Sequence, residues 1–236
     1  GKDGVVIAFS GGVDSSTLAA VCHDVLGEKA VAVTAISATY LPEEAEEAME
    51  IALNGLKIVE STAYYTEITE LCVCLSFVYE YSYGNIDKAF EYAKKAVEVA
   101  QKSGNSYLIA FSTFFLGWAY LRAQLGHSQD GGYDEAYKLF REAIEIFERL
   151  GLNFQIVQGY YHLYWICQEQ EESDEAIEWL ERGLAFPDHP YYSFFVFQLA
   201  REYFQRGNTD NVVELCKKVI EDSNALAKAE TLFSIN

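Results

Sequence analysis

Seven consecutive residues near the start of the chain combine glycines with hydroxyl and carboxylate side chains: Ser10, Gly11, Gly12, Val13, Asp14, Ser15 and Ser16. The apolar run before them predicts a buried strand, and the pattern after them predicts a helix. Glycines let the backbone approach an anion closely, and free N–H groups at a helix N-terminus attract one. The stretch predicts a phosphate-binding loop. The alternative is a plain turn, with Asp14 or Ser15 as the helix N-cap.

The first 60 residues alternate between strand and helix patterns, which predicts an α/β unit with a parallel, Rossmann-like sheet. We expect three strands, at Gly4–Phe9, Ala30–Ile36 and Leu56–Val59, and two helices, at Val13–Leu26 and Pro42–Leu53. Ligands of such sheets bind beyond the carboxyl ends of the strands. Ala35 and Ser37, which end the second strand, are therefore expected beside the glycine loop.

The loop resembles the SGGxDS signature of the PP-loop ATP pyrophosphatases, and the likeness continues through residues 31–35 and 41–48. Within that superfamily the chain is most similar to the sulfur transferases that build the nickel-pincer cofactor. The resemblance implies ATP bound by the loop, Mg²⁺ held with the help of Asp14, adenosine beside Ala35 and Ser37, and transfer of AMP to a substrate.

The chain departs from that family in three ways, so the resemblance implies an incomplete unit. Ser37-Ala38 stands where the family leads us to expect Ser-Pro. Three strands are predicted where a complete domain has about five. The basic residues of the first 60 are Lys2, Lys29 and Lys57, outside the loop, although a transition state that gains negative charge needs positive groups near it.

From about Ser61 the strand patterns end and helical pairs begin. Small and large apolar residues recur at spacings of four and then three, which places them on one helix face. The four sets are Ala89-Ala93-Ala96, Ala136-Phe140-Ala143, Ala176-Leu180-Gly183 and Val212-Cys216-Val219. Together with Leu116, Gly117 and Tyr120 before the second set, they resemble the tetratricopeptide repeat (TPR). The alternative is a helical array without a true repeat.

The chain is therefore expected to have two domains: a PP-loop-like unit at 1–60 and a TPR-like helical solenoid at 61–236. In such repeats the first helix of each pair lines a groove for a peptide. Matching positions place the following residues in the groove: Phe114, Trp118, Arg122, Tyr161, Trp165, Phe197 and Arg201. Aromatic residues and arginine dominate the energetics of many interfaces. The alternative is that the aromatic residues form the core between helices.

Composition limits the function further. The formal net charge of −19 opposes binding to nucleic acid or to an anionic membrane surface and favours a basic peptide or protein partner. The longest apolar runs are too short to span a membrane. The five cysteines show neither a disulfide framework nor a zinc spacing, which predicts free thiols in the cytoplasm.

Three functions remain open at this stage. The first is a protein-interaction scaffold that carries an incomplete ATP-binding unit. The second is an ATP-dependent adenylating or sulfur-transfer enzyme whose helical part completes the site. The third is a fragment or an artificial junction near residues 55–65 without a joint function. In each case the helix expected at Tyr64–Tyr83 is apolar on more than one face, so we expect it to pack against the α/β unit as well as against its partner helix.

Overall fold

The structure is a computed structural model that describes residues 5–9, 30–34, 42–125 and 131–233. Two strands, β1 (Val5–Phe9) and β2 (Ala30–Thr34), pair in parallel, with Val5 opposite Ala30 and Phe9 opposite Thr34. Parallel strands need a crossover connection, and residues 10–29 provide its length. The helix predicted at 13–26 lies outside the described residues, so the α/β unit as a whole remains a prediction.

The third predicted strand is wrong, because Leu56–Val59 is the last turn of a helix, α1, that runs from Pro42 to Val59. The helix continues through Asn54-Gly55, where we expected it to end. Among the residues of this helix whose burial is described, the buried apolar side chains are those of Met49, Ala52, Leu56 and Val59. Their spacings of three, four and three form one helical stripe, and burial of this stripe outweighs the low helix propensity of Gly55.

Eight further helices follow α1 in the described part of the chain. They are α2 (Tyr65–Tyr81), α3 (Ile86–Ser103), α4 (Ser106–Leu125), α5 (Gly132–Leu150), α6 (Asn153–Glu169), α7 (Ser173–Gly183), α8 (Tyr192–Gln205) and α9 (Thr209–Phe233). Between 65 and 233, the described residues contain no strand, as predicted. None of the described helices is long and apolar enough to cross a membrane.

The helices follow one another as four pairs, and the second helix of each pair is α3, α5, α7 or α9. In α3, α5 and α7 the predicted small and large residues are buried, among them Ala93, Phe140 and Leu180. Small residues bring helices close: a Cβ on Gly117 of α4 would lie 3.2 Å from that of Leu139 in α5. The fourth unit needs a correction, because Cys216 is exposed and its neighbour Leu215 is buried instead.

The contacts within the chain define two compact units, Gly1–Ile146 and Phe147–Asn236. The boundary lies inside α5. The predicted domain boundary near residue 60 remains a prediction. Helix α1 lies before that boundary, yet it shares a core with the helices that follow it. This core joins Leu56 and Val59 of α1 to Leu71 and Leu75 of α2 and to Ala96 of α3. The helix at 65–81 therefore packs on both sides, as its apolar pattern predicts.

Removing residues 1–61 is expected to destabilise the remaining helices. The cut exposes the apolar surface of α2 that α1 covers, including Ile68 and Leu71, and each large side chain exposed in this way costs about 1.5–3 kcal/mol. Residues 62–236 alone should therefore melt at a lower temperature than the whole chain, measured by circular dichroism. Equal melting temperatures would show that the shared core contributes nothing to stability.

Candidate interaction faces

The predicted nucleotide-binding residues lie outside the described residues. These are Ser10, Gly11, Gly12, Val13, Asp14, Ser15, Ser16, Ala35 and Ser37. Of the elements that would position them, the structure describes β1, which ends at Phe9 just before the loop, and β2, which ends at Thr34 just before Ala35. The ATP, Mg²⁺ and metal-ligand assignments remain predictions.

Charge is distributed unevenly between the two helices of each pair. Helix α4 has one charged residue, Arg122, in 20 residues. Its partner α5 has eight charged residues in 19. Helix α6 is similar to α4, because its titratable acidic and basic residues are Glu169 and His162 alone. Its partner α7 has five charged residues in 11. A helix that is apolar on all sides has more apolar surface than one neighbour can cover.

One partly exposed aromatic surface lies between α2 and α4, and we call it the α2–α4 aromatic face: Phe77, Tyr81, Phe111, Phe115, Trp118 and Arg122. The Phe77 and Phe115 rings meet edge to face at 5.1 Å, and Phe115 meets Phe111 at 4.7 Å. The Arg122 guanidinium lies 5.5 Å from the Tyr81 ring and 5.9 Å from that of Trp118. Tyr81 is 48% exposed, so the surface is open to solvent.

A buried carboxylate holds Arg122 in this place. Arg122 Nε donates a hydrogen bond of 2.6 Å to Glu80 Oε1, and Glu80 is only 6% exposed. Burial raises the pKa of Glu80, while its contacts with Arg122 and Trp118 oppose the rise. A guanidinium between two aromatic rings and a buried acid is fixed in position, which lowers the entropic cost of binding a ligand against it.

Phe114, which the repeat pattern places in the groove, packs into the core instead. It is 7% exposed, and its ring meets that of Phe140 in α5 at 5.0 Å. The next residue, Phe115, faces α2. We therefore assign Phe114 to the core and Phe115 to the aromatic face.

A second aromatic surface lies between α6 and α8, and we call it the α6–α8 aromatic face: Tyr161, Trp165, Tyr191, Phe194, Phe197 and Arg201. The Tyr161 ring lies 4.7 Å from that of Tyr191 and 4.9 Å from that of Phe194. Trp165 and Phe197 are exposed. Phe197 follows Phe194 by about one turn of α8 and is 66% exposed.

A polar cluster adjoins this second face, and it contains Tyr164, Gln168, Arg201 and Glu202. One terminal nitrogen of Arg201 contacts the Tyr164 hydroxyl at 3.0 Å, Gln168 Oε1 at 3.4 Å and Glu202 Oε1 at 3.3 Å. Tyr164 and Glu202 are buried. Burial raises the pKa of Tyr164, so its hydroxyl remains neutral. The cluster fixes Arg201 as Glu80 fixes Arg122.

Burial keeps several of the other cysteines and histidines that the structure describes in their neutral form. Burial raises the pKa of Cys72 to about 12 and that of Cys74 to about 11, so both remain thiols. Cys167 lies within 4.8 Å of Glu172 and Glu175, but burial raises its pKa to about 12 as well. Burial lowers the pKa of His162 to about 3, which keeps its ring neutral.

Several residues of these faces were missing from the sequence prediction. Phe77, Tyr81 and Glu80 come from α2, which we considered only as a packing helix. Glu80 could have indicated this face, because a buried acidic residue in an apolar helix needs a cationic partner, and that partner is Arg122. Tyr191 directly precedes α8, and Phe194 lies in its first turn. Phe194 is seven residues before Arg201, so helical spacing places the two on one face and could have identified Phe194.

Comparison with known proteins supports both resemblances. A family model described as NAD synthase, which belongs to the PP-loop superfamily, matches residues 1–75. An uncharacterized Synechocystis protein, slr1717, is 59% identical over 46 residues, which are 20% of this chain and 17% of that protein. The chain thus spans about a sixth of the curated relative that it matches.

Solved structures share the helical fold. BtubC from P. vanneervenii has a TM-score of 0.62 at 16% identity and covers 91% of this chain and 81% of its own. A Rap protein complexed with competence and sporulation factor has a TM-score of 0.56 at 18% identity, covering 79% and 61%. The Rap conjugation gene regulator of plasmid pLS20, in complex with the Phr* peptide, has a TM-score of 0.53 at 16% identity. The match covers 78% of this chain and 50% of that protein. The start of the chain therefore resembles the PP-loop superfamily, and its helices resemble TPR-like proteins.

Proposed function

We propose that the helical part of this chain is a protein-interaction scaffold that binds apolar peptide segments on its two aromatic faces. The observation that carries the proposal is the uneven charge. The first helices of the pairs have few charged residues, from one in α4 to three in α2, yet Tyr81, Trp165 and Phe197 on these helices are exposed to water. Exposed aromatic rings beside a fixed arginine are typical of the residues that dominate binding energy. The Rap complexes in the comparison support a peptide as partner.

The same observation bears on the charge of the partner. A basic partner was expected from the net charge of −19. The described acidic residues lie mostly on α1, α5, α7 and α9, however, and each aromatic face presents an arginine instead. We therefore propose apolar contacts as the main source of affinity on these faces, with a basic partner as the alternative for the acidic helices.

Tyr81 and Tyr83 form a matched pair that tests this function. The two side chains are 48% and 47% exposed. Tyr81 belongs to the α2–α4 aromatic face, whereas Tyr83 lies in the turn after α2, where its ring contacts that of Tyr79. Dodecamer peptides selected from a random phage library on the whole chain are measured by fluorescence polarisation. Replacing Tyr81 with alanine should weaken binding about tenfold, or by about 1.4 kcal/mol, and Tyr83→Ala should leave it unchanged.

Salt separates the apolar partner from a basic one. Binding through the aromatic faces should change little between 50 and 500 mM NaCl, because salt screens interactions between exposed charges and barely affects apolar ones. Lysine-rich selected peptides that are released by salt and that bind Tyr81→Ala as well as the wild type would contradict the proposal.

A second candidate function is ATP binding by the N-terminal segment. The match of residues 1–75 to the NAD synthase model and the parallel pairing of β1 with β2 favour it. If Gly12 belongs to a phosphate loop, replacing it with valine fills the space of a phosphate and strains the turn. Calorimetry should then show ATP binding, with Mg²⁺, to the wild-type chain and none to Gly12→Val. Equal affinities would reject this candidate, and pyrophosphate release from ATP would extend it to an adenylating enzyme.

A further inference from the structure

The arginines of the two aromatic faces are held in different ways, and one of them keeps most of its donors available. In the α6–α8 aromatic face, one terminal nitrogen of Arg201 already has three oxygen partners. In the α2–α4 aromatic face, Arg122 makes a single hydrogen bond to the described residues, from its Nε to Glu80 Oε1. The two terminal nitrogens of Arg122 therefore keep their four N–H groups for a ligand.

These terminal nitrogens are accessible to solvent. The side chain of Arg122 is 39% exposed and that of Glu80 is 3% exposed, so the pair has its acid inside and its cation at the surface. Neither terminal nitrogen of Arg122 is among the unpaired polar atoms that are buried in the described part of the chain. The edge that the two nitrogens form lies on a different side of the planar guanidinium from the Nε–H that Glu80 accepts. A ligand can therefore reach this edge without displacing Glu80.

The shape and the charge of this edge favour a carboxylate. Two parallel N–H groups pair with both oxygens of one carboxylate, whereas a carboxamide or a main-chain carbonyl offers one oxygen and no negative charge. The guanidinium is also held before a ligand arrives, by Glu80 and by the rings of Tyr81 and Trp118. This lowers the entropic cost of forming the bidentate pair.

A connected series of aromatic rings leads away from Arg122 and defines what accompanies the carboxylate. Tyr81, beside Arg122, stacks on Phe77 at 5.8 Å. Phe77 meets Phe115 at 5.1 Å, and Phe115 meets Phe111 at 4.7 Å. We propose that the α2–α4 aromatic face binds a peptide in which a glutamate or aspartate side chain stands at one end of an apolar run, with the carboxylate on Arg122 and the apolar side chains on the rings. This inference rests on the proposed function and names the partner of that same face.

The first test compares peptides that differ in charge at the ends of an apolar run. Two are fluorescein-labelled Ser-X-Leu-Phe-Leu-Phe-X-Ser-amide, in which X is Glu or Gln, and the third is the Gln peptide with a free C-terminal carboxylate. In fluorescence polarisation at 150 mM NaCl, the whole chain should bind the Glu peptide about fivefold more tightly than either Gln peptide. The net charge of −19 by itself favours the opposite order.

The second test assigns the preference to Arg122. Glu80→Gln removes the competing charge and keeps an oxygen that accepts from Arg122, so the preference for the Glu peptide should increase. The double variant Glu80→Gln with Arg122→Met should abolish it. Arg206→Met is the matched control, because it removes an arginine of similar exposure (37%) from a pair with the exposed Asp174, and it should leave the preference unchanged. A purely structural role of the pair would not move the preference in opposite directions.

Equal affinity for the Glu and Gln peptides, or a preference that persists in the double variant, would overturn the inference and leave the scaffold proposal standing. So would a Gln peptide with a free C-terminus that binds as tightly as the Glu peptide, because the site would then take a chain end. A failure of all three peptides while library-selected peptides bind would overturn it as well. If no peptide of either origin binds, the proposed function itself fails.

Discussion

Replacing Arg122 with methionine is expected to lower the free energy of unfolding by about 3 kcal/mol, because it leaves the Glu80 carboxylate buried without its cation. Glu80 is buried in α2, and Arg122 Nε is its partner in α4. Methionine keeps the length of the side chain, and therefore most of its contacts with the Tyr81 and Trp118 rings. Urea unfolding at pH 7, followed by circular dichroism, measures the effect.

The double variant Glu80→Gln with Arg122→Met is the control, because it removes both charges. It should recover most of the lost stability, since a neutral pair at this place lacks the buried charge. If both variants lose the same free energy, the packing of Arg122 matters and its charge does not.

The pH dependence of the single variant follows from the same carboxyl group. Burial already raises the pKa of Glu80 in the folded chain, and loss of Arg122 raises it further. The folded variant then binds a proton that the unfolded chain releases, so its stability increases as the pH falls through the pKa of the folded state towards that of the unfolded chain. The stability difference between the wild type and Arg122→Met should therefore be smaller at pH 5 than at pH 7.

Replacing Gly183 with alanine is expected to destabilise the second unit by about 2 kcal/mol, although alanine is the better helix former. An added Cβ would lie 2.7 Å from two atoms of the Phe195 ring and 2.8 Å from a third. Phe195 is fully buried, so it has little room to move. With three ring atoms this close, overpacking should cost about 3 kcal/mol, the upper end of its usual range, which exceeds the gain of about 1 kcal/mol in helix propensity. A melting temperature lower by about 4–8 °C would show it.

The same substitution in a Phe195→Leu background tests the cause. Leucine lacks the ring atoms that the new methyl group meets, so Gly183→Ala should then cost less than it does in the wild-type chain. The difference between the two costs is the coupling energy of the pair. A rise in the melting temperature with Gly183→Ala alone would mean that α7 and α8 adjust to the added methyl at no cost.

The sequence allowed correct prediction of the helical pairs after residue 61 and of the buried faces of α3, α5 and α7, but not of the rotation of α4. In α3, α5 and α7 the small and large residues alternate with charges, and the predicted faces are buried as expected. In α4 almost every position is apolar, so periodicity does not distinguish Phe114 from Phe115, although their directions differ by about 100°. The contact of Phe114 with Phe140 decides between them, and that contact depends on the tertiary fold.

The error at Leu56–Val59 has a related cause. Three apolar residues in a run of four, with Lys57 among them, fit both a buried strand and one turn of helix, and only a longer window separates the two. Met49 and Ala52 extend the stripe backwards at helical spacing, and burial against α2 selects the helix. For the predicted nucleotide-binding loop, the residue types alone favour one interpretation. The loop itself lies outside the described residues.

The weak burial of α9 between Thr209 and Glu221 has a consequence for native-state dynamics. Between Thr209 and Glu221 its buried side chain is Leu215, whereas α3 buries four alanines on one face. Local opening requires little free energy where few apolar contacts are broken. The amide protons of α9 are therefore expected to exchange with solvent faster than those of α7 and α8, so that the second unit unfolds in steps that begin at its last helix. A protease that reaches this region would first cut in α9 and leave α6–α8 folded for longer.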